Sequence, residues 1–299
     1  MTTSARVGHS RGWPMSERSD PELVASAREG DEAALEELLL RHQPRIYRFG
    51  MKLCRDPEDA SDVLQDTLLA MARSIRDFRG ASSLSTWLYT ITRSFCIKKR
   101  RKSKFAPAVE ESLEAIPEAE RDGLQCSSRG PEEDLAGREV KDALDGAIAS
   151  LEPMYREVLV LRDVEGLTAP EVGEVLGLSV EAVKSRLHRA RVAVREALAP
   201  HLGAPSEAPS ADCPDILTIF SGHLEGDIGP DLCARMEEHL ERCGRCRGTC
   251  DSLKRTLALC RAAGAPEVPE DVQRAVRIAV RRFLDGGLPP VKVRSTGAS

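Results

Sequence analysis

One apolar stripe constrains this chain more than any other feature. Ala60, Val63, Leu64, Leu68, Met71, Ile75 and Phe78 recur at the 3.6-residue spacing of an α-helix, with Asp59, Asp62, Gln65 and Asp66 on the opposite side. Asp56 is placed to cap the start of that helix, and Pro57 suits its first position, where a missing N–H leaves no bond broken. A second helix is read over Asp31 to Phe49, ending at Gly50. No run of alternating β-branched residues competes, and aromatic residues make up only 4% of the 299, which disfavours a large β-sandwich. The expected fold is all-α.

Charge is distributed unevenly. The formal net charge is −5, yet Arg93 to Lys104 holds seven Lys and Arg with no acid, and Lys184 to Arg195 holds five plus His188, again with no acid. Between them, Ala108 to Asp145 carries twelve acidic residues against four basic ones, interrupted by Pro and Gly. Two cationic stretches separated by an acidic spacer fit two modules that touch one polyanion. No apolar run approaches the roughly 20 residues that span a bilayer, so no membrane partner is expected. The first twenty residues hold no apolar segment, so no secretory leader is expected and the cytoplasm is the expected location.

The stretch LTAPEVGEVLGLSVEAVKSRLHRARVAVREAL reads as a helix-turn-helix. Thr168 and Glu171 have the spacing of a capping box, and Pro170 falls in the first turn. A short helix to Leu176 meets Gly177, which supplies the left-handed backbone of a tight turn, and Ser179 caps a second helix. Val180, Val183, Leu187, Ala190 and Val194 are expected inward, with Lys184, Arg186, His188, Arg189 and Arg191 on or beside the exposed face. A basic second helix in this arrangement enters a major groove, where Arg and Lys read guanine edges or hold phosphates.

The strings DPEDASDVLQDTLL, FRGASSLSTWLYTITRS followed by KKRRK, and EVGEVLGLSVEAVKSRLHRAR occur here in that order. Together they resemble an extracytoplasmic-function (ECF) sigma factor of bacterial RNA polymerase, over Asp20–Lys104 and Asp142–Pro200. The resemblance implies partners and roles: core RNA polymerase, through its β′ and β subunits, and promoter DNA. Asp59, Asp62, Gln65 and Asp66 would dock the coiled coil of β′. Ser83, Ser85, Thr86 and Trp87 lie in the loop that holds an extruded base. Trp87 and Tyr89, with Arg93, Lys98, Arg100 and Arg101, suit melted DNA, where stacking and phosphate contacts cooperate. Trp87 is equally suited to a core. Ser94 and Lys98 stand where the family usually has Asn and Asp, which bears on the promoter sequence chosen. No Walker-type loop, nucleophile elbow or HExxH motif is present, so recognition without covalent chemistry is expected.

Six of the nine cysteines lie beyond Asp212. His239, Cys243 and Cys246 form an HxxxCxxC pattern whose spacing suits a metal ion, with Cys213 a possible fourth ligand upstream. This resembles the zinc-binding fold of anti-sigma domains. Cys243, Cys246 and Cys250 fall at i, i+3 and i+7, and a surplus of soft donors suits a thiophilic ion, zinc or copper. The whole plan is similar to the CorE-like group of ECF sigma factors, whose cysteine-rich C-terminal domain makes activity depend on metal. Cys233 and Cys260 read either as further ligands or as small buried hydrophobes, while Cys54 and Cys96 read as buried. A CxxC also supports a reversible disulfide, so a stand-alone helix-turn-helix regulator with a redox-sensing tail is the alternative; a metalloenzyme lacks a candidate base.

The expected organisation is a loose N-terminus (1–19), a first helical module (20–104), an acidic linker (105–141), the helix-turn-helix module (142–200), a Pro- and Ser-rich linker (201–212), a small helical metal-binding domain (213–285) and a loose tail (286–299). A helix over Glu270–Leu284, apolar at Val272, Val276, Ala279, Val280 and Phe283, is the expected docking element of the last domain.

Overall fold

The computed structural model describes residues 17–105, 131–202, 213–263 and 268–286. Most of the loose segments expected over 1–19 and 286–299, of the acidic spacer and of the 201–212 linker lies outside these residues, while Ser19, expected in the loose N-terminus, caps the helix that starts at Asp20 through Glu22. Among the described residues every regular element is helical. The first module comprises α1 (Asp20–Arg28), α2 (Glu32–Cys54), α3 (Pro57–Ser74) and α4 (Leu84–Phe105). The second comprises α5 (Pro131–Ser150), α6 (Pro153–Leu159), a π-type turn at Val160–Val164, α7 (Ala169–Leu176) and α8 (Val180–Leu202). The C-terminal region adds α9 (Ile216–Leu224), α10 (Pro230–Arg242), α11 (Gly244–Ala262) and α12 (Glu270–Leu284).

Local chemistry sets most of the boundaries. The Asp31 carboxylate accepts from the N–H groups of Ala33 and Ala34 at 3.0 and 3.1 Å, starting α2, and Asp56 accepts from Asp59 N–H at 2.8 Å, starting α3. Helix α2 does not stop at Gly50. It runs through Pro44 and Gly50 to Cys54, and the backbone turns only at Arg55, with φ 66°. The expected end fails because Phe49 and Leu53 are both buried, so packing keeps the helix going past its glycine. Helix α5 likewise begins at Pro131, inside the segment expected to be linker.

Packing joins the parts. Leu38, Ile46, Leu64, Leu68, Met71 and Ile75 form the core of the first module, and Val276 and Val280 of α12 belong to the same cluster. Burying those two valines stabilises the contact by about 1.5–3 kcal/mol each. A second core gathers Leu144, Ile148, Val158, Val172, Val183, Leu187 and Val194 of the second module. Phe49, Leu53, Tyr89 and Cys96 of the first module enter it, as does Cys260 of α11. The two modules therefore share apolar interior, and the C-terminal region packs on both, α11 against α8 and α12 against α3.

Candidate nucleic-acid interface and metal centre

The helix-turn-helix is built as its sequence dictates. Thr168 N–H donates to Glu171 at 2.8 Å, and Glu171 N–H donates back to Thr168 Oγ1 at 3.4 Å. Gly177 takes φ 68°, and Ser179 Oγ accepts from Ala182 N–H at 3.2 Å to start the recognition helix α8. Val183, Leu187, Ala190 and Val194 face the core, and Val180 is half-buried.

The basic residues of α8 do not all face outward. Arg189 is exposed and donates to the Tyr155 hydroxyl at 3.3 Å. Arg186 is half-buried, with Nη1 enclosed and lacking a hydrogen-bond partner among the described residues. Lys184 pairs with Asp227, and His188 meets Ser221 Oγ at 3.0 Å and Thr218 Oγ1 at 3.3 Å. All three of those partners come from α9 or the turn after it. Arg191, expected at the exposed face, is instead only 2% exposed. It donates to Asp163 at 2.8 and 2.7 Å and to Glu225 at 2.8 Å. The helical period puts Arg191 one turn beyond Leu187, on the inward side, where two acids replace water around its guanidinium.

In the first module, Ser83 Oγ accepts from Thr86 N–H at 3.1 Å and bonds the Thr86 hydroxyl at 2.8 Å, capping α4. Ser83 is exposed, Ser85 half-buried and Thr86 buried. Trp87 is half-buried with its ring 5.0 Å from that of Phe78, so much of it serves the core. Tyr89, grouped with the strand-binding residues by sequence, is buried, and its hydroxyl donates to Glu165 at 2.6 Å. Burial first, then the Glu165 charge, pushes that phenol far above its usual range. Arg48 donates to both oxygens of the same Glu165 at 2.6 Å. Arg93 and Arg100 reach Glu157 at 2.8 and 3.2 Å, so two residues of the basic string are tied to the second module. Lys98 and Arg101 are exposed.

The acidic side of α3 is partly neutralised from within. Lys99 pairs with Asp59 at 3.3 Å and with Asp62. Gln65 is half-buried and Asp66 exposed, though local desolvation and the neighbouring Asp62 raise the Asp66 carboxyl. Beyond this stripe, α12 lies along α3, with the Arg73 guanidinium 5.8 Å over the Phe283 ring.

Cys213, His239, Cys243 and Cys246 converge, their donor atoms all within 4.8 Å of one another. The Cys213 and Cys243 sulfurs are 3.8 Å apart. Two thiolates on one tetrahedral zinc, each with a bond of about 2.3 Å, stand about 3.8 Å apart. His239 Nε2 is buried with no hydrogen-bond partner among the described residues, which a metal bond would satisfy. The N–H of Cys246 points at the Cys243 sulfur and holds that thiol below its ordinary range, favouring the thiolate a metal needs. The four donors fit a closed site.

Cys250, expected as a further ligand, is not brought to this group. It lies one turn deeper along α11, packed with Ile216, Phe220 and Leu253, and burial pushes its thiol up to about 11. Cys260 is fully buried in the core shared with α8. Cys233 is half-buried, 3.5 Å from His223 Nδ1. The sequence does not mark the acids Glu157, Asp163, Glu165, Glu225 and Asp227 as partners. Each is separated along the chain from the cation it meets, so no local pattern points to it.

Comparison with known proteins agrees with this geometry. Residues 38–105 match the family "Sigma-70 region 2", 141–194 match "Sigma-70, region 4", and 213–247 match a family described as "Putative zinc-finger". The ECF RNA polymerase sigma factor SigE of Mycolicibacterium smegmatis is 33% identical over 58% of this chain and 65% of its own length. SigM of Mycobacterium tuberculosis, also an ECF sigma factor, is 32% identical over 58% of this chain and 82% of its own length. A solved structure of CnrH in complex with the cytosolic domain of CnrY is 25% identical and spans 60% of this chain and 97% of that one, with a TM-score of 0.44. No helix among the described residues is long and apolar enough to cross a membrane. A region-2 match has no place in a stand-alone helix-turn-helix regulator, and the chain belongs to the non-enzymatic ECF family of RNA polymerase sigma factors, carrying a zinc-finger-type region after region 4.

Proposed function

We propose that this sigma factor, which binds RNA polymerase and directs it to promoters, is held closed by its own C-terminal region. In this reading Asp59, Asp62, Gln65 and Asp66 dock the β′ coiled coil. Ser83 to Trp87 with Lys98 and Arg101 hold the opened promoter strand, and Lys184, Arg186, His188 and Arg189 hold the distal duplex element. The observation that carries the proposal is that the C-terminal region occupies parts of both modules at once. Asp227, Ser221 and Thr218 engage Lys184 and His188 of the recognition helix. At the other end, α12 buries Val276 and Val280 on the first module.

Cys213, His239, Cys243 and Cys246 would hold a thiophilic ion, zinc or copper. When bound, such an ion supplies cross-links and folding energy to a region with a small core of its own. The thiolate of Cys243 and the imidazole of His239 sit at the α10–α11 turn, so their fixation sets the angle at which α9 meets α8 and α11 meets the second module. Metal therefore favours the closed form.

Run-off transcription with core polymerase tests this, using the full chain and its Val280→Asp variant, each with zinc, Cu(I) or a chelator. The variant places a carboxylate in an apolar contact and is expected to raise transcript yield at least about tenfold. The chelator raises the yield of the full chain and leaves the variant nearly unchanged. Equal yields from both proteins under every metal condition would end the proposal of regulation in cis.

A further inference from the structure

We infer that Cys54 and Cys96 form an oxidisable dithiol inside the first module, a staple between α2 and α4 that closes on reaction with a hydroperoxide. The two thiols are far apart in sequence, yet their sulfurs lie 3.1 Å from each other. That is too close for two thiolates sharing a zinc ion, at about 3.8 Å, and about 1 Å longer than a disulfide bond. Closing it means bringing the two sulfurs about 1 Å nearer, at the end of α2 beside the φ 66° turn at Arg55.

The surroundings divide the labour. Cys96 is fully buried, in the cluster that contains Phe49, Leu53 and Val63. Cys54 is half-buried at the helix end, where a small oxidant can reach it. Asp59, Lys99 and Arg100 are the charged groups that act on Cys54. The hydrogen bond it shares with Cys96 is the largest influence holding the Cys54 thiol below its ordinary range, with Arg100 and Lys99 helping and burial and Asp59 opposing. The same bond, with burial, pushes the Cys96 thiol up. Cys54 is then the attacking thiolate and Cys96 the resolving thiol.

The chemistry balances with a hydroperoxide as the oxidant. The Cys54 thiolate attacks the terminal oxygen, the O–O bond breaks, and the alkoxide leaves and takes up the proton that Cys54 released. Cys54 is now a sulfenic acid. The Cys96 sulfur attacks that sulfur, the S–O bond breaks, and hydroxide leaves with the Cys96 proton as water. Two thiols lose two electrons, and one peroxide becomes one alcohol and one water. The new bond encloses a loop of about 40 residues that carries α3 and the Ser83–Trp87 start of α4. It makes the polymerase-binding module harder to unfold.

The inference does not depend on the metal reading, because both thiols lie outside the C-terminal region. The full chain, loaded with zinc to shield Cys213, Cys243 and Cys246, is treated with hydrogen peroxide, alkylated and mapped by mass spectrometry. A Cys54–Cys96 linked peptide is expected, reversed by dithiothreitol, with a melting temperature about 5 °C higher before reduction. In Cys96→Ser a sulfenic acid accumulates at Cys54, trapped by dimedone. In Cys54→Ser, Cys96 reacts at least tenfold more slowly. The mapping uses the unsubstituted chain, so its outcome does not depend on either variant folding. Cys54 and Cys96 both remaining alkylatable while other thiols oxidise would overturn the inference, and so would a linkage of Cys54 to any other cysteine.

Discussion

Arg191 shows how far a single residue can depart from its sequence setting. It belongs to the basic run of α8, yet it is 2% exposed and shares Asp163 and Glu225 as partners, with Arg162 reaching Glu225 at 3.1 Å. A buried guanidinium that loses its bidentate carboxylate keeps its desolvation cost and loses its attraction. Asp163→Ala is therefore expected to lower stability by about 3–5 kcal/mol, measured by denaturant unfolding at neutral pH. Arg186 represents the opposite case. It stands on the same helix without an acidic partner among the ion pairs of the described residues, and one of its nitrogens has no hydrogen bond. Arg186→Ala is expected to reduce promoter-dependent transcription about tenfold while core-polymerase binding in a pull-down stays unchanged, because a lost base contact of about 1–3 kcal/mol acts only on DNA. Equal loss of both activities would remove Arg186 from the DNA surface.

Elements follow the sequence where their cause is local. The turn between α7 and α8 is the clearest: Gly177 supplies the positive φ, and Gly173 lets the chain return across its own helix. A Cβ at Gly173 would stand 2.7 Å from the Leu178 carbonyl oxygen, which belongs to backbone and cannot swing aside. Gly173→Ala is expected to cost about 1–3 kcal/mol and to lower the melting temperature, with DNA affinity falling alongside as the helices splay. A variant that melts with the parent would show that the turn relaxes. The cap at Asp56, the capping box at Thr168 and the apolar stripe of α12 are legible for the same reason, each being a pattern within a few turns of chain. The end of α2 is not legible, because Phe49 and Leu53 continue it through contacts with the second module. Nor is the departure of Cys250 from the metal group, since periodicity places it on the stripe of Cys246 but does not say how deep the core begins. The Cys213–His239–Cys243–Cys246 group is legible from spacing; the packing of α9 and α11 on α8 is not.

At the scale of the whole molecule, two independent ties hold the modules together. One is direct: Glu165 receives Arg48 and Tyr89, and Glu157 receives Arg93 and Arg100. The other runs through the C-terminal region, with α11 on α8 and α12 on α3. On the proposed function, in which the two modules grip two promoter elements far apart, both ties have to open. Either one alone keeps the other at high effective concentration, so opening should be cooperative rather than additive. Glu157→Ala with Glu165→Ala strips the first tie of these polar contacts, leaving Phe49, Leu53 and Cys96 in the shared core, and Val280→Asp cuts the second. Small-angle X-ray scattering is expected to give nearly the parent radius of gyration for each set alone, and a value several ångström larger when the two are combined. Polymerase affinity should rise in the same order, most of the gain arriving only with the combination. Additive expansion would mean that the ties act separately. Full expansion on cutting the direct tie alone would mean that the C-terminal region follows one module without restraining the other, and closure would then rest on Glu157 and Glu165.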